Sequence, residues 1–310
     1  MRKIIRKIYG LILDQLSFLI IDKFLSKVFS LFGCYLFRKH YYLPIPEKED
    51  LVYQKETEMV GVEINEKLAF ELLDNVILRF KPEFNLFPID KQAQPDKYYL
   101  LNSSFMAIDG NVYYSLIRYL KPKKVVEIGS GKSSLLAAEA CVRNLAESYN
   151  TQLILIEPYP REILKKGFPG LSELKEKKVQ EINVGYFETL EPGDILFIDS
   201  SHALKSGGDV WYEYCEILPR LKSGVYVHIH DVSLPKPYPK VYIDFHYFWN
   251  EQYLLQAFLT FNRKFEIIWP GNYLMCKYPE KMRSSFLPEY DLMIKKFPSS
   301  EPSSFWMRVK

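Results

Sequence analysis

The stretch Lys124-Val125-Val126-Glu127-Ile128-Gly129-Ser130-Gly131-Lys132-Ser133-Ser134 decides how this chain is read. An apolar run carrying one acid ends on two glycines and passes into residues of helical spacing, in the order strand, tight turn, helix. Glycine lets the backbone come close to a ligand, and the first turn of a helix offers N–H groups with no partner of their own. A nucleoside-bearing ligand suits that arrangement. Gly129 to Ser133 also spells Gly-Ser-Gly-Lys-Ser, the tail of a phosphate-binding loop, so the turn alone leaves the ligand open.

Outward from this turn, the pattern beyond residue 110 alternates between helix and strand. A helix over 111–120 precedes the strand at 125–128, and short apolar runs at 153–156, 179–182, 195–198 and 225–229 predict further strands. Helices at 133–144 and 209–218 fall between them. Runs that are apolar nearly throughout suit strands covered on both faces. Five of them with intervening helices predict an α/β, doubly wound, mostly parallel sheet. After a helix at 250–261, the segments 265–269 and 273–276 are expected to pair as an antiparallel edge, which brings the sheet to seven strands. Upstream, 63–80 reads as a helix and the proline-containing 81–98 as irregular. The expected organisation is a helical N-terminal extension (1–45), a helical and irregular cap (46–108), the α/β domain (109–278) and a C-terminal tail (279–310).

The 310 residues are 48% hydrophobic and 25% charged, which excludes a disordered chain. Charge is unevenly placed. Eight Lys and Arg in residues 1–40 face only Asp14 and Asp22, a balance of +6, whereas the whole chain is +3 and the remainder therefore −3. A body of that sign argues against nucleic acid as a partner. Residues 1–38 set Ile5, Ile8, Ile12, Leu16 and Leu19, then Phe24, Val28 and Leu31, at helical spacing. Two readings stand: an amphipathic helix on an anionic membrane surface, held by Arg2, Lys3, Arg6 and Lys7, or a helix packed on the body or on a second copy of the chain. Asp14, Asp22 and Lys23 interrupt any signal-peptide core, and no uncharged apolar stretch has the length of a membrane span. Cys34, Cys141, Cys215 and Cys276 show no metal-like spacing and are expected as reduced, mostly buried thiols of a cytoplasmic protein.

Three ligands compete for the glycine turn. A phosphate loop needs a glycine where Val126 stands in mid-strand. Asp199, after the run 195–198, could mimic the acid that accompanies such loops. A dinucleotide site wants a third glycine where Ser134 stands, although Glu157 supplies the acid closing the second strand. Neither needs Glu127, whose carboxylate would repel a pyrophosphate but suits an ammonium group. S-adenosyl-L-methionine carries a sulfonium, an amino group and a ribose diol, and no phosphate. Glu127 beside its methionine portion, Gly129, Ser130 and Gly131 at the backbone, and Glu157 on the ribose form a set that closely resembles the class I S-adenosylmethionine-dependent methyltransferases. The resemblance runs from about Asp109 to Cys276 and implies a Rossmann-like sheet and methyl transfer.

Two later blocks, Asp199-Ser200-Ser201-His202 and His228-Ile229-His230-Asp231, resemble a bacterial branch of that family. The Asp-x-x-His spacing is also similar to that of metal-assisted O-methyltransferases acting on macrolide sugars. That likeness implies His202 as general base and acids at these strand ends as magnesium ligands, here Asp199 and Asp231. Asp199 is also a candidate cofactor contact, and His230, nearer the strand end, a candidate catalytic residue. His228, two positions back on the same strand face, reads as a core histidine. The Asn102–Phe105 segment with Asp109 and Gly110 is a further candidate for closing over the cofactor, or else a helix-capping turn. The aromatic segment after Pro235, with Tyr242, Tyr247 and Trp249, is a candidate acceptor wall. The expected acceptor is a small molecule or glycan-like compound methylated on oxygen. The non-enzymatic alternative is a methyltransferase-like binding or scaffold module.

Overall fold

The structure, a computed structural model, describes residues 23–36, 42–94 and 96–310. The chain divides into two compact units, Met1–Tyr53 and Gln54–Lys310. The first contains helix α1 over 23–30 and the short α2 (Lys48–Leu51). Most of the amphipathic segment expected over 1–38 lies outside the described residues. Among the described residues no helix is long and apolar enough to cross a membrane.

The second unit is built on seven strands: β1 (Lys124–Ile128), β2 (Gln152–Ile156), β3 (Leu171–Lys175), β4 (Ile195–Ile198), β5 (Tyr226–Ile229), β6 (Phe265–Pro270) and β7 (Phe305–Val309). Their order is β3-β2-β1-β4-β5-β7-β6. The first five run parallel, and β7 lies antiparallel between β5 and β6. Side chains alternate between the faces. Val125 joins one buried cluster and Val126 the other, so both faces of β1 are covered.

Helices α3 (Glu66–Leu72), α4 (Leu78–Phe84), α5 (Asp109–Leu120), α6 (Lys132–Ala146) and α7 (Glu162–Lys166) precede β3 in the chain. Leu73–Ile77 is a π turn joining α3 to α4. Between β4 and β6 come α8 (Asp209–Tyr212), α9 (Lys240–Asp244) and α10 (Glu251–Leu259). Between β6 and β7 come α11 (Gly271–Lys277), α12 (Pro279–Ser285) and α13 (Glu289–Lys296).

Five sequence expectations need correction. The run 179–182 is a 3-10 turn (Val179–Glu181), and the third strand is the more polar Leu171–Lys175 at the sheet edge, where burial is incomplete and the apolar signal weak. Residues 273–276 belong to α11. The partner of β6 is instead β7, so 279–310 is no tail: its last strand fills the gap between β5 and β6. The segment 81–98 is helical as far as Phe84, because α4 continues through Pro82. Of the four cysteines only Cys141 is fully buried, while Cys34 and Cys215 are exposed.

Candidate active site

The strand order reverses at β1, with β2 on one side and β4 on the other, and ligands of open α/β sheets bind beyond the carboxyl ends of strands at such a point. The backbone ties these ends together. Gly129 N–H donates to the Ile156 carbonyl at 3.0 Å and Asp199 N–H to the Ile128 carbonyl at 2.8 Å. Gly129 has φ +81, and a Cβ there would lie 1.9 Å from the Asp199 carbonyl oxygen. Only glycine meets both demands. A Cβ at Gly131 would meet nothing within 4 Å, so that glycine leaves space beside the first turn of α6.

A cavity of about 480 Å³ opens here, within the ~300–1,000 Å³ usual for small-molecule sites. Ile128, Gly129, Ile156, Glu157 and Asp199 line it, together with Lys178 to Gln180 and the loop Lys205–Asp209. Glu157 accepts from Ser130 N–H at 3.2 Å and from Tyr159 N–H at 2.8 Å, which fixes its carboxylate at the rim. Glu127 is placed differently from the sequence reading. It does not line the cavity but lies beneath the turn, fully buried, where its carboxylate accepts from the Tyr113 hydroxyl at 2.7 Å and from Ser134 Oγ. Ser134 Oγ in turn accepts from Gly131 N–H at 3.1 Å. Burial pushes the Glu127 carboxyl up to about 8, against the two hydroxyl donors that favour its ionised form. Lys132 points its ammonium over the Tyr99 ring, 4.9 Å away, and takes no part in the cavity wall. With Val126 buried in mid-β1, the phosphate-loop reading has neither its glycine nor its lysine.

Asp199 joins this cavity to a second cluster. His202 is 5% exposed, and its Nδ1 lies 2.8 Å from Glu251 Oε2. That contact aims Nε2 at Asp199 Oδ1 (3.4 Å) and Asp231 Oδ2 (3.5 Å). Glu251 is itself held by the Tyr214 hydroxyl at 3.1 Å. His230 is 4% exposed, with Nδ1 at 3.4 Å from Asp199 Oδ1 and 3.6 Å from Asp231 Oδ1. Its Nε2 faces Ser303 Oγ (3.3 Å) and Asp109 Oδ2 (3.6 Å).

These neighbours set the protonation. Burial lowers both imidazoles, but the carboxylates overcome it and hold His202 and His230 well above the usual histidine value. Burial would raise Asp199, yet the two imidazoles hold it well below the usual carboxylate range. His202 and Asp231 both adopt positive φ, at +56, at the ends of their strands' loops, a backbone state costing roughly 1–3 kcal/mol that concentrates at functional sites.

The structure thus brings together Asp199, His202, His230 and Asp231, as the strand-end argument expects. His228 is the core histidine that the sequence suggests. It stacks on Trp306 at 4.2 Å, bonds Ser304 Oγ at 2.7 Å, and is lowered well below the usual value by burial. Asn102 closes its own turn by accepting from Ser104 and Phe105 N–H, while Phe105 packs 4.9 Å from the His230 ring. Trp249 packs on His202 at 4.3 Å, with Tyr242 and Tyr247 against it. Glu251, Ser303 and the partnership of Asp109 with His230 escape the sequence reading. The 49 residues from His202 to Glu251 carry no local signal, and Ser303 lies in the stretch expected as a tail.

A seven-stranded sheet of this order, with a glycine turn and a rim acid around a cavity at its switch point, defines a Rossmann-like nucleoside-binding domain. The sequence pattern of a methyltransferase-domain family matches residues 126–232. An uncharacterized protein of Archaeoglobus fulgidus is 32% identical over 169 residues, 49% of this chain and 72% of that one. The chain belongs to a family of methyltransferase-domain proteins. Among solved structures, an O-methyltransferase from Bacillus cereus in complex with SAH is 14% identical, covering 77% of this chain and 91% of that one at a TM-score of 0.32. CalS11, a TDP-rhamnose 3'-O-methyltransferase of calicheamicin biosynthesis, is 15% identical, covering 85% and 95% at a TM-score of 0.34.

Proposed function

We propose that this enzyme moves the methyl group of S-adenosylmethionine to a hydroxyl oxygen of a small-molecule or glycan-like acceptor, with His202 as the base. The observation that carries the reading is the position of Asp199, which lines the cavity and also stands 3.4 Å from His202 Nε2. Cofactor and base therefore share one carboxylate.

The residues present fit the cofactor. Ser130 Oγ is buried without a hydrogen-bond partner, and Gly131 opens space at the same turn. Glu157, fixed by two N–H groups, offers its remaining lone pairs to a ribose diol. Methyl transfer is an in-line displacement with a good leaving group, so the protein positions the acceptor and takes its proton. Glu251 fixes the His202 ring and directs Nε2 outward from it, while Trp249 covers the ring face. The aromatic residues around Trp249 offer stacking surface to a ring-bearing acceptor. Asp199 and Asp231 would hold a divalent ion, which would lower the pKa of an acceptor hydroxyl.

Calorimetry with S-adenosylmethionine, S-adenosylhomocysteine, ATP and NAD tests the cofactor. Tight ATP binding with no response to S-adenosylhomocysteine would overturn the reading. His202→Ala is expected to keep cofactor affinity and lose turnover, and unchanged turnover across pH removes His202 from the role. Cell extracts incubated with methyl-labelled cofactor, followed by mass spectrometry, identify the acceptor.

A further inference from the structure

His230 presents a nitrogen where the sequence reading placed only carboxylates. One donor atom each from Asp199, His230 and Asp231 lies within 4.8 Å of the others. Separations of 3.4 and 3.6 Å from His230 Nδ1 to the two carboxylates are those of donors about 2.1 Å from one ion at roughly 110–120°. The Nδ1 atom is buried, has no hydrogen-bond partner and is aimed into the cluster.

The opposite side of the ring explains how that nitrogen is kept available. Nε2 faces Ser303 Oγ and Asp109, and Asp109 is anchored by Ser303 N–H at 3.0 Å and Ser304 N–H at 2.9 Å. An Nε2–H donated to that side leaves Nδ1 facing Asp199 and Asp231, where a bound ion would displace the Nδ1 proton. Metal-ligating histidines are oriented in this way, with a carboxylate behind the ring fixing the tautomer. His202 Nε2 faces the same two carboxylates at 3.4 and 3.5 Å with Glu251 behind its ring, so the nitrogen that ligates is decided by the His230 substitution below.

We infer that Asp199, His230 and Asp231 form a mixed nitrogen–oxygen site selective for a first-row transition ion such as Mn²⁺, Fe²⁺, Co²⁺ or Zn²⁺ over Mg²⁺ or Ca²⁺. Magnesium and calcium prefer oxygen donors, whereas an imidazole nitrogen adds affinity for first-row transition ions, least for Mn²⁺ and more for Fe²⁺, Co²⁺ and Zn²⁺. The inference deepens the proposed function, since it names the ion at that function's site, but metal binding is measured apart from methyl transfer.

The full chain is stripped with chelator, and Mn²⁺, Co²⁺, Zn²⁺ and Mg²⁺ are titrated by calorimetry without cofactor. One Mn²⁺ or Co²⁺ per chain is expected, at least tenfold tighter than Mg²⁺, and pulsed EPR of the Mn²⁺ form should show coupling to ¹⁴N. His230→Glu, folded by circular dichroism, should lose the ¹⁴N coupling and bring Mg²⁺ within about threefold of Mn²⁺. Equal Mg²⁺ and Mn²⁺ affinity in the native chain, no stoichiometric binding of any ion, or ¹⁴N coupling that survives His230→Glu each overturns the inference. A parallel titration with S-adenosylhomocysteine separates the two ideas. Cofactor binding without metal selectivity refutes the site alone, and metal selectivity without cofactor binding refutes the methyl-transfer reading alone.

Discussion

Glu127→Gln tests whether a buried acid beneath the glycine turn makes folding depend on pH. The native carboxyl moves from an ordinary value of 4.5 to about 8, chiefly because burial disfavours its charge. A carboxyl raised in the folded state stabilises the fold fully below 4.5, and that contribution is lost as pH rises through 8. At about 1.36 kcal/mol per pH unit, the window corresponds to a ceiling on the order of 5 kcal/mol. Relaxation and water access bring the expected difference to roughly 2–5 kcal/mol. Glutamine has nearly the same shape and no charge to bury. Its carbonyl can still accept from one of Tyr113 and Ser134, so near pH 5 the variant should lie within about 1 kcal/mol of the native chain.

Near pH 9 the variant should be the more stable, by about 4 °C or more in Tm at the 2–4 °C per kcal/mol usual for domains of 150–250 residues. Thermal melts followed by circular dichroism from pH 5 to 9, on chelated protein without cofactor, give both curves. Parallel curves would refute the reasoning, because they would mean that ionising Glu127 costs the fold nothing.

The two glycines of the turn should respond oppositely. Gly129→Ala forces a Cβ onto the Asp199 carbonyl at positive φ and should cost at least roughly 3 kcal/mol in denaturant unfolding, whereas Gly131→Ala should stay within about 1 kcal/mol and instead weaken S-adenosylhomocysteine binding in calorimetry. Glu251→Gln should lower kcat roughly tenfold to a hundredfold with cofactor KM unchanged, and an unaltered kcat would show that Glu251 does not orient the base. Asp199→Asn should reduce both cofactor affinity and kcat by at least about tenfold. A loss confined to kcat would detach Asp199 from the cofactor cavity.

What the sequence discloses follows from how local each signal is. β1, β2, β4 and β5 are central strands covered on both faces, so each appears as a short, nearly unbroken apolar run. β3 sits at an edge with Ser172 and Glu173 exposed, which erases that signal. β7 is apolar enough to be seen, but it pairs with β5 far back in the chain and with β6 across three helices. No periodicity encodes such a partner. In the site, Asp199, His202, His230 and Asp231 are legible because strand ends of a parallel sheet converge. Glu251 reaches His202 from the start of α10, and Asp109 reaches His230 from the start of α5, and helix starts carry acids for reasons unrelated to a site. Glu127 is visible as an odd acid, but Tyr113 and Ser134, which take its oxygens, become its neighbours only on folding.

The charge pattern gives the proposed reaction a physical coherence that the individual residues lack. Asp109, Asp199, Asp231 and Glu251 surround His202 and His230. Even with both imidazoles protonated, four carboxylates against two cations leave the cluster negative, and buried charge of one sign calls for a counter-charge. A cation held beside Asp199 would supply one, and by opposing the charge on His202 it would favour the neutral imidazole that a base needs. In the proposed reaction the methyl group would leave the sulfonium as a neutral thioether departs, and neutral His202 would take the acceptor's proton. The positive charge would then pass to His202, whose Nε2 is 3.4 Å from the same Asp199 carboxylate that lines the cavity. Asp199 would face a cation before and after such a transfer, so the protein would not have to reorganise as the charge moves, which is the condition under which fixed groups lower a barrier most.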